Sequence, residues 1–257
     1  MDVVENDERL LPSGAGRLVC GERRHGLSGS GGGDVLHRRY GPMTLQFNAI
    51  RRFLPVLALA LAFAVLAAGP ARAGPVTIVA LGDSLTAGYG LPEADAFPVR
   101  LERTLKERGH DVVIVNAGVS GDTTAGGLAR LDWVLADRPA IVILALGAND
   151  GLRGIDPRTT RANLDAILDR LGKERVHTLL LGMYAPPNLG RTYGDAFNAI
   201  FPDLAARHGA ALMPFMLQDV ATIASLNQAD GIHPNRAGVD IMVRNVLPHV
   251  EALLPAK

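Results

Sequence analysis

The sequence predicts an α/β protein of the doubly wound type, with helices on both faces of about five parallel strands. Three observations lead there. Short apolar, β-branched runs recur along residues 74–257, continuous rather than alternating, the pattern of strands covered on both faces. Between them lie segments with apolar residues at helical spacing, so strand and helix alternate as in βαβ units. No Pro/Gly/Ser-rich linker divides this stretch, which is read as one domain.

Taken in order, residues 76–81 form the first expected strand. Phe97, Leu101 and Leu105 make the stripe of a helix that Gly109 ends. Strands two and three are expected over 111–116 and 140–146. Trp133, on a helix between them, is assigned to the core. Asp156 then supplies an N-cap and Pro157 a first-turn proline; Leu164, Ile167, Leu168 and Leu171 form the buried stripe, and Gly172 stops it. Residues 176–181 read as the fourth strand. Phe197, Ile200, Phe201 and Leu204 give one helix, bent at Pro202. A short fifth strand covers 211–213, and Val239, Val243, Val246, Leu247 and Val250 line the final helix.

The chain has 257 residues, 48% of them hydrophobic, which is enough for a medium-sized core and too apolar for a disordered chain. Its 26 basic and 26 acidic residues leave no surplus of positive charge for coating nucleic acid. Cys20 is the one cysteine, so disulfide scaffolds, cysteine-rich zinc sites and CxxC redox motifs are excluded. Residues 53–68 are an unbroken apolar run of sixteen, preceded by Arg51-Arg52 and followed by Ala71-Arg72-Ala73. That arrangement is a secretory signal peptide over 43–73, cleaved after Ala73, and it is shorter than the roughly 20 apolar residues of a spanning helix. A periplasmic or secreted protein follows, with no stable membrane anchor after cleavage. Residues 1–42, rich in glycine and charge without apolar period, read as a non-structural leader upstream of a start at Met43.

Three small polar motifs follow the first three strands: Gly82-Asp83-Ser84-Leu85, then 117–123 (AGVSGDT), then Gly147-Ala148-Asn149-Asp150. In doubly wound sheets the crevice lies at the carboxyl ends of the strands, where strand order reverses. In the flavodoxin-like order 2-1-3-4-5, strand one lies between strands two and three, and Ser84 is flanked by Gly121 and Asn149. A fourth motif, Asp230-Gly231-Ile232-His233-Pro234-Asn235, precedes the last helix.

These four blocks, in this order across 82–235, resemble the SGNH (GDSL-type) hydrolase family. The segments GDSLTAGYG, NAGVSGDTT, GANDGLRG and DGIHPN further resemble its bacterial periplasmic thioesterase–lysophospholipase–arylesterase group. The resemblance implies a serine hydrolase of carboxylic esters and thioesters. Ser84 is the implied nucleophile, and Ser84, Gly121 and Asn149 the implied oxyanion donors. The chemistry fits the residue types. A serine hydroxyl needs a base, His233 offers the residue type suited to moving that proton, and Asp230 three residues earlier can hold its tautomer. Aryl esters, fatty-acyl thioesters and lysophospholipids are the expected substrates, with transient contact with lipid.

Other features are assigned bland roles. Asp83, Asp122 and Asp150 read as structural hydrogen-bonding groups, and the absence of HExxH or His-x-His points to no metal. No GxGxxG occurs, so no nucleotide and no other cofactor is expected. His110 and His208 are expected to contact helix dipoles. Leu85, Leu152, Met183, Pro186, Leu189 and Met216 lie near loop tips and are candidates for an acyl groove; each equally fits the core. A carbohydrate-ester deacetylase, a non-catalytic acyl- or glycan-binding module, and an enzyme transferring acyl groups to an alcohol stay open as alternatives.

Overall fold

The computed structural model describes residues 74–255; the expected leader, the signal segment and Cys20 lie outside the described residues. The strands are β1 (Val76–Gly82), β2 (Val112–Gly118), β3 (Ile141–Ala145), β4 (His177–Leu181) and β5 (Ala211–Met213). They form one parallel sheet in the order β2-β1-β3-β4-β5, the order expected. The helices are α1 (Ser84–Ala87), α2 (Phe97–Glu107), α3 (Thr124–Ala129), α4 (Leu131–Ala136), α5 (Ala148–Leu152), α6 (Pro157–Lys173), α7 (Arg191–Asn198), α8 (Ile200–His208) and α9 (Arg236–Glu251). Helices α2 and α9 pack together as one layer, and α3, α6 and α8 as the other.

Residues of β1, β3 and β4 such as Ile78, Val79, Leu81, Ile143, Leu144, Leu179 and Leu180 are fully buried, as strands covered on both faces must be. β2 departs from that pattern: it is an edge strand, and Val113 is exposed. Leucine and phenylalanine at helical spacing explain the layers, because Phe97, Leu101 and Leu105 of α2 and Leu164, Ile167 and Leu171 of α6 are all fully buried.

Four local expectations are corrected. Gly172 does not stop α6; it sits inside the last turn, and the chain leaves through Arg175, whose φ is +59°. The helix expected around Pro202 is two helices, broken at Ala199, with Pro202 in the first turn of α8, where a missing N–H costs little. Trp133 is exposed, because Leu131 and Val134 take the core-facing side of the short helix α4. His110 and His208 each find a carboxylate rather than a helix dipole alone. His110 Nε2 lies 3.1 Å from Glu251 on α9, and His208 Nε2 lies 2.6 Å from Asp165 on α6. Among the described residues, no helix is long and apolar enough to cross a membrane.

Candidate active site

β1 pairs with β2 on one side and β3 on the other, and in the register Gly82 stands beside both Gly118 and Ala145. The three polar motifs therefore leave the sheet at one point. Asp83 caps α1 by accepting the Leu85 N–H at 3.0 Å, which turns the chain sharply and makes Ser84 the first helical residue. The fourth motif arrives from the far end of the sequence. His233 Nε2 lies 2.9 Å from Ser84 Oγ, and Nδ1 lies 2.7 Å from Asp230 Oδ2. A neutral imidazole with its proton on Nδ1 donates to Asp230 and offers a lone pair to the serine hydroxyl.

Asp230 is tied to its own loop. It accepts the backbone N–H groups of Ile232 and His233, both at 3.0 Å. Those donors, with the His233 side chain, hold its carboxyl at about 2, so it stays charged across the whole working range. The last helix is capped by Asn235, leaving Asp230 free to face His233.

Gly121 and Asn149 line the same cavity as Ser84. Gly121 has φ +82°, a left-handed conformation suited to glycine, and its carbonyl accepts from Arg153 at 2.7 Å. The Asn149 amide donates to the Asp122 carbonyl at 2.9 Å and leans toward Asp83 at 3.4 Å. Both N–H groups thus have partners, and the longer bond, to Asp83, is the one a substrate oxygen would displace. Asp150 anchors the surrounding loops from below. Fully buried, it accepts from the Thr124 N–H at 2.9 Å, the Thr124 hydroxyl at 2.5 Å and the Thr160 hydroxyl at 3.2 Å. Arg130 joins Asp122 at 2.8 Å to the Gly82 carbonyl at 2.9 Å. The three aspartates therefore have hydrogen-bonding partners, and among the described residues no cluster of His, Cys, Asp and Glu could hold a metal ion.

Asp83 is the electrostatic exception. Burial pushes its carboxyl up to about 6, opposed by the Leu85 N–H and the nearby His233. A carboxyl raised above its unfolded value of 3.8 costs stability once it ionises. The folded state keeps a proton that the unfolded chain has released, so stability falls as pH rises from about 4 to 6. The full cost above that window is about 3 kcal/mol. Asp83→Asn is expected to gain stability relative to the parent by that order across pH 4–6, measured by urea unfolding. A difference independent of pH would contradict it.

Ser84 and His233 open onto a cavity of about 600 Å³. Leu85, Leu152, Met183 and Pro186 line it, as does Phe215. Leu189 and Met216 do not; Met216 is packed in the core, and Leu189 sits on the turn Pro187–Leu189. Sequence reasoning missed three participants. Tyr89 stacks on the His233 ring with centroids 4.6 Å apart, Tyr184 stacks on Phe215 at 4.6 Å, and Gln228 donates to the Tyr89 carbonyl at 2.7 Å. Tyr89 lay in view within the GDSLTAGYG block; the other two sit on irregular loops with no periodic signal.

The profile of the GDSL-like lipase/acylhydrolase family matches residues 80–241. The chain belongs to that family. Its GDSL relatives include the "Esterase TesA" of Pseudomonas aeruginosa, 41% identical over 71% of this chain and 92% of that one. The "Thioesterase 1/protease 1/lysophospholipase L1" of Escherichia coli K12 is 40% identical over 75% of this chain and 89% of its own. Among solved structures, the psychrotrophic esterase EstA of Pseudoalteromonas, inhibited by monoethylphosphonate, is 34% identical with a TM-score of 0.66. It aligns over 69% of this chain and 97% of that one.

Proposed function

We propose that this GDSL-family protein is a serine-dependent carboxylic-ester and thioester hydrolase of the esterase, thioesterase and lysophospholipase class, working through an acyl-enzyme on Ser84. Hydrolysis of carboxylic esters is the activity its relatives carry. The observation that supports the residue assignment is the run Asp230–His233–Ser84, with contacts of 2.7 and 2.9 Å at the mouth of an apolar cavity.

Ser84 Oγ attacks the acyl carbon and passes its proton to His233 Nε2. Asp230 stabilises the resulting imidazolium. The carbonyl oxygen becomes an oxyanion, received by the backbone N–H groups of Ser84 and Gly121 and by the Asn149 amide. Collapse breaks the bond to the leaving alcohol or thiol, which takes the proton from His233. Water then repeats the sequence on the acyl-enzyme, releasing the acid and restoring Ser84. A cavity lined by Leu85, Leu152, Met183 and Pro186 favours an acyl chain over the acetyl group of a carbohydrate ester. Ester, thioester and lysophospholipid substrates are carried over from the names of the Pseudomonas and Escherichia relatives.

The apolar run at 53–68 and the small-residue exit at Ala71-Arg72-Ala73 support export and a periplasmic or secreted mature chain. One experiment addresses both readings. The enzyme, isolated after expression of the full chain, is treated with an aryl alkylphosphonate and mapped by mass spectrometry. The phosphonyl adduct is expected on the peptide containing Ser84, and the first peptide is expected to begin at Gly74. Modification of another serine in an active preparation overturns the nucleophile; a retained upstream peptide overturns export with cleavage.

A further inference from the structure

Ser84 and His233 are 149 residues apart; Ser84 opens the one-turn helix α1 and His233 stands on the loop before α9, neither on a strand. Something must hold those two segments in register to within a fraction of an ångström. On the serine side, the Tyr89 N–H donates to the Ser84 carbonyl at 3.1 Å, so Tyr89 is fastened one turn beyond the serine. On the histidine side, the Gln228 N–H donates to the His233 carbonyl at 2.7 Å, and Gln228 accepts from the Gly231 N–H at 3.0 Å. The Gln228 side chain then joins the two. Its Nε2 donates to the Tyr89 carbonyl at 2.7 Å and to the Pro234 carbonyl at 3.0 Å, using both amide hydrogens, one for each segment.

Two further features belong to the same junction. Gly90, at φ +73°, leaves the room the amide occupies; a Cβ there would stand 2.2 Å from Gln228 Oε1. The Tyr89 ring lies against the His233 imidazole, 4.6 Å between centroids and tilted by 38°. Asp230 restrains the imidazole within its plane through Nδ1, whereas a ring against its face restrains it out of plane. The charged groups facing the imidazole are Asp230 on its own loop and the buried Asp83 behind Ser84.

We propose that Gln228 and Tyr89 are positioning residues: the Gln228 amide staples the serine segment to the histidine loop, and the Tyr89 ring braces His233 so that Nε2 meets Ser84 Oγ. This rests on the reading of Ser84 and His233 as nucleophile and base. Misplacement of a catalytic pair by about an ångström costs on the order of 100-fold in rate, so loss of the staple should appear in the chemical step. Gln228 does not line the cavity, and its removal should leave substrate binding nearly untouched.

The test uses the full chain and a short-chain aryl ester, with active sites titrated by phosphonate. Gln228→Ala, and Gln228→Met as a bulkier variant should the first fold poorly, are expected to lower kcat per titrated site by roughly 10- to 100-fold. KM should change less than twofold, and the rate of phosphonylation of Ser84 should fall in step with kcat. Tyr89→Ala should lower kcat by about tenfold, and Tyr89→Phe, which keeps the ring, should recover most of that loss. Lower melting temperature with unchanged kcat and phosphonylation rate in both Gln228 variants would make the staple merely structural and overturn the proposal. Failure of the underlying reading looks different: Ser84 of the parent enzyme would then not be labelled at all.

Discussion

His233→Ala is expected to lower kcat by about 10⁴- to 10⁶-fold, with KM little changed. Ser84 Oγ has its 2.9 Å contact to His233 Nε2, so the variant leaves an unactivated alcohol facing the substrate. The fold should survive, because the loop is held by backbone bonds that do not use the imidazole: Gln228 N–H to the His233 carbonyl, and Ile232 and His233 N–H to Asp230. The pH profile separates the two members of the pair. Asp230 is held at about 2, so its charge is constant above pH 4, and the carboxyl that changes charge along the acid limb of kcat/KM is the buried Asp83, pushed up to about 6. In His233→Ala any remaining acid limb should come from Asp83 alone. Melting curves and stopped assays on the same preparation decide the matter, and near-normal turnover per titrated site sinks the assignment.

Asn149→Ala is expected to lower kcat by about 100- to 1,000-fold, again with little effect on KM. The oxyanion exists fully only after attack, so a donor aimed at it contributes to the transition state and hardly to the ground state. The geometry refines this. Asn149 gives one N–H to the Asp122 carbonyl at 2.9 Å and the other to Asp83 at 3.4 Å, and it is the longer bond that an oxyanion would displace. Asn149→Asp, which keeps the size, places negative charge where the oxyanion forms and beside the buried Asp83, and should be at least as damaging. A purely structural Asn149 predicts the opposite: a lower melting temperature with kcat per folded molecule preserved.

The parts legible in the sequence were those governed by burial and local chemistry. The apolar runs gave five strands to within two residues, since a strand covered on both faces has no alternative to Val, Ile and Leu. The four polar blocks fell at one crevice because the strand order of such sheets leaves few arrangements. What escaped depended on contacts between distant segments. Trp133 looked like core, yet which side of α4 faces inward is decided by Leu131 and Val134. The break at Ala199 precedes the proline that seemed to demand it. Gln228 is a polar residue in a loop, and nothing in its neighbourhood announces a bond to a carbonyl 139 positions earlier.

The 149-residue separation of Ser84 from His233 also imposes a timetable. On the proposed assignment, the nucleophile leaves the ribosome just after β1, whereas its base arrives just ahead of the last helix. At about 5–20 residues per second, the interval between the two is on the order of 10 to 30 s. Throughout that interval the Ser84 hydroxyl has no His233 beside it, and on the proposed mechanism it is an unactivated alcohol. The 2.9 Å contact between His233 and Ser84 can form only when the loop before α9 docks against the segment that follows β1.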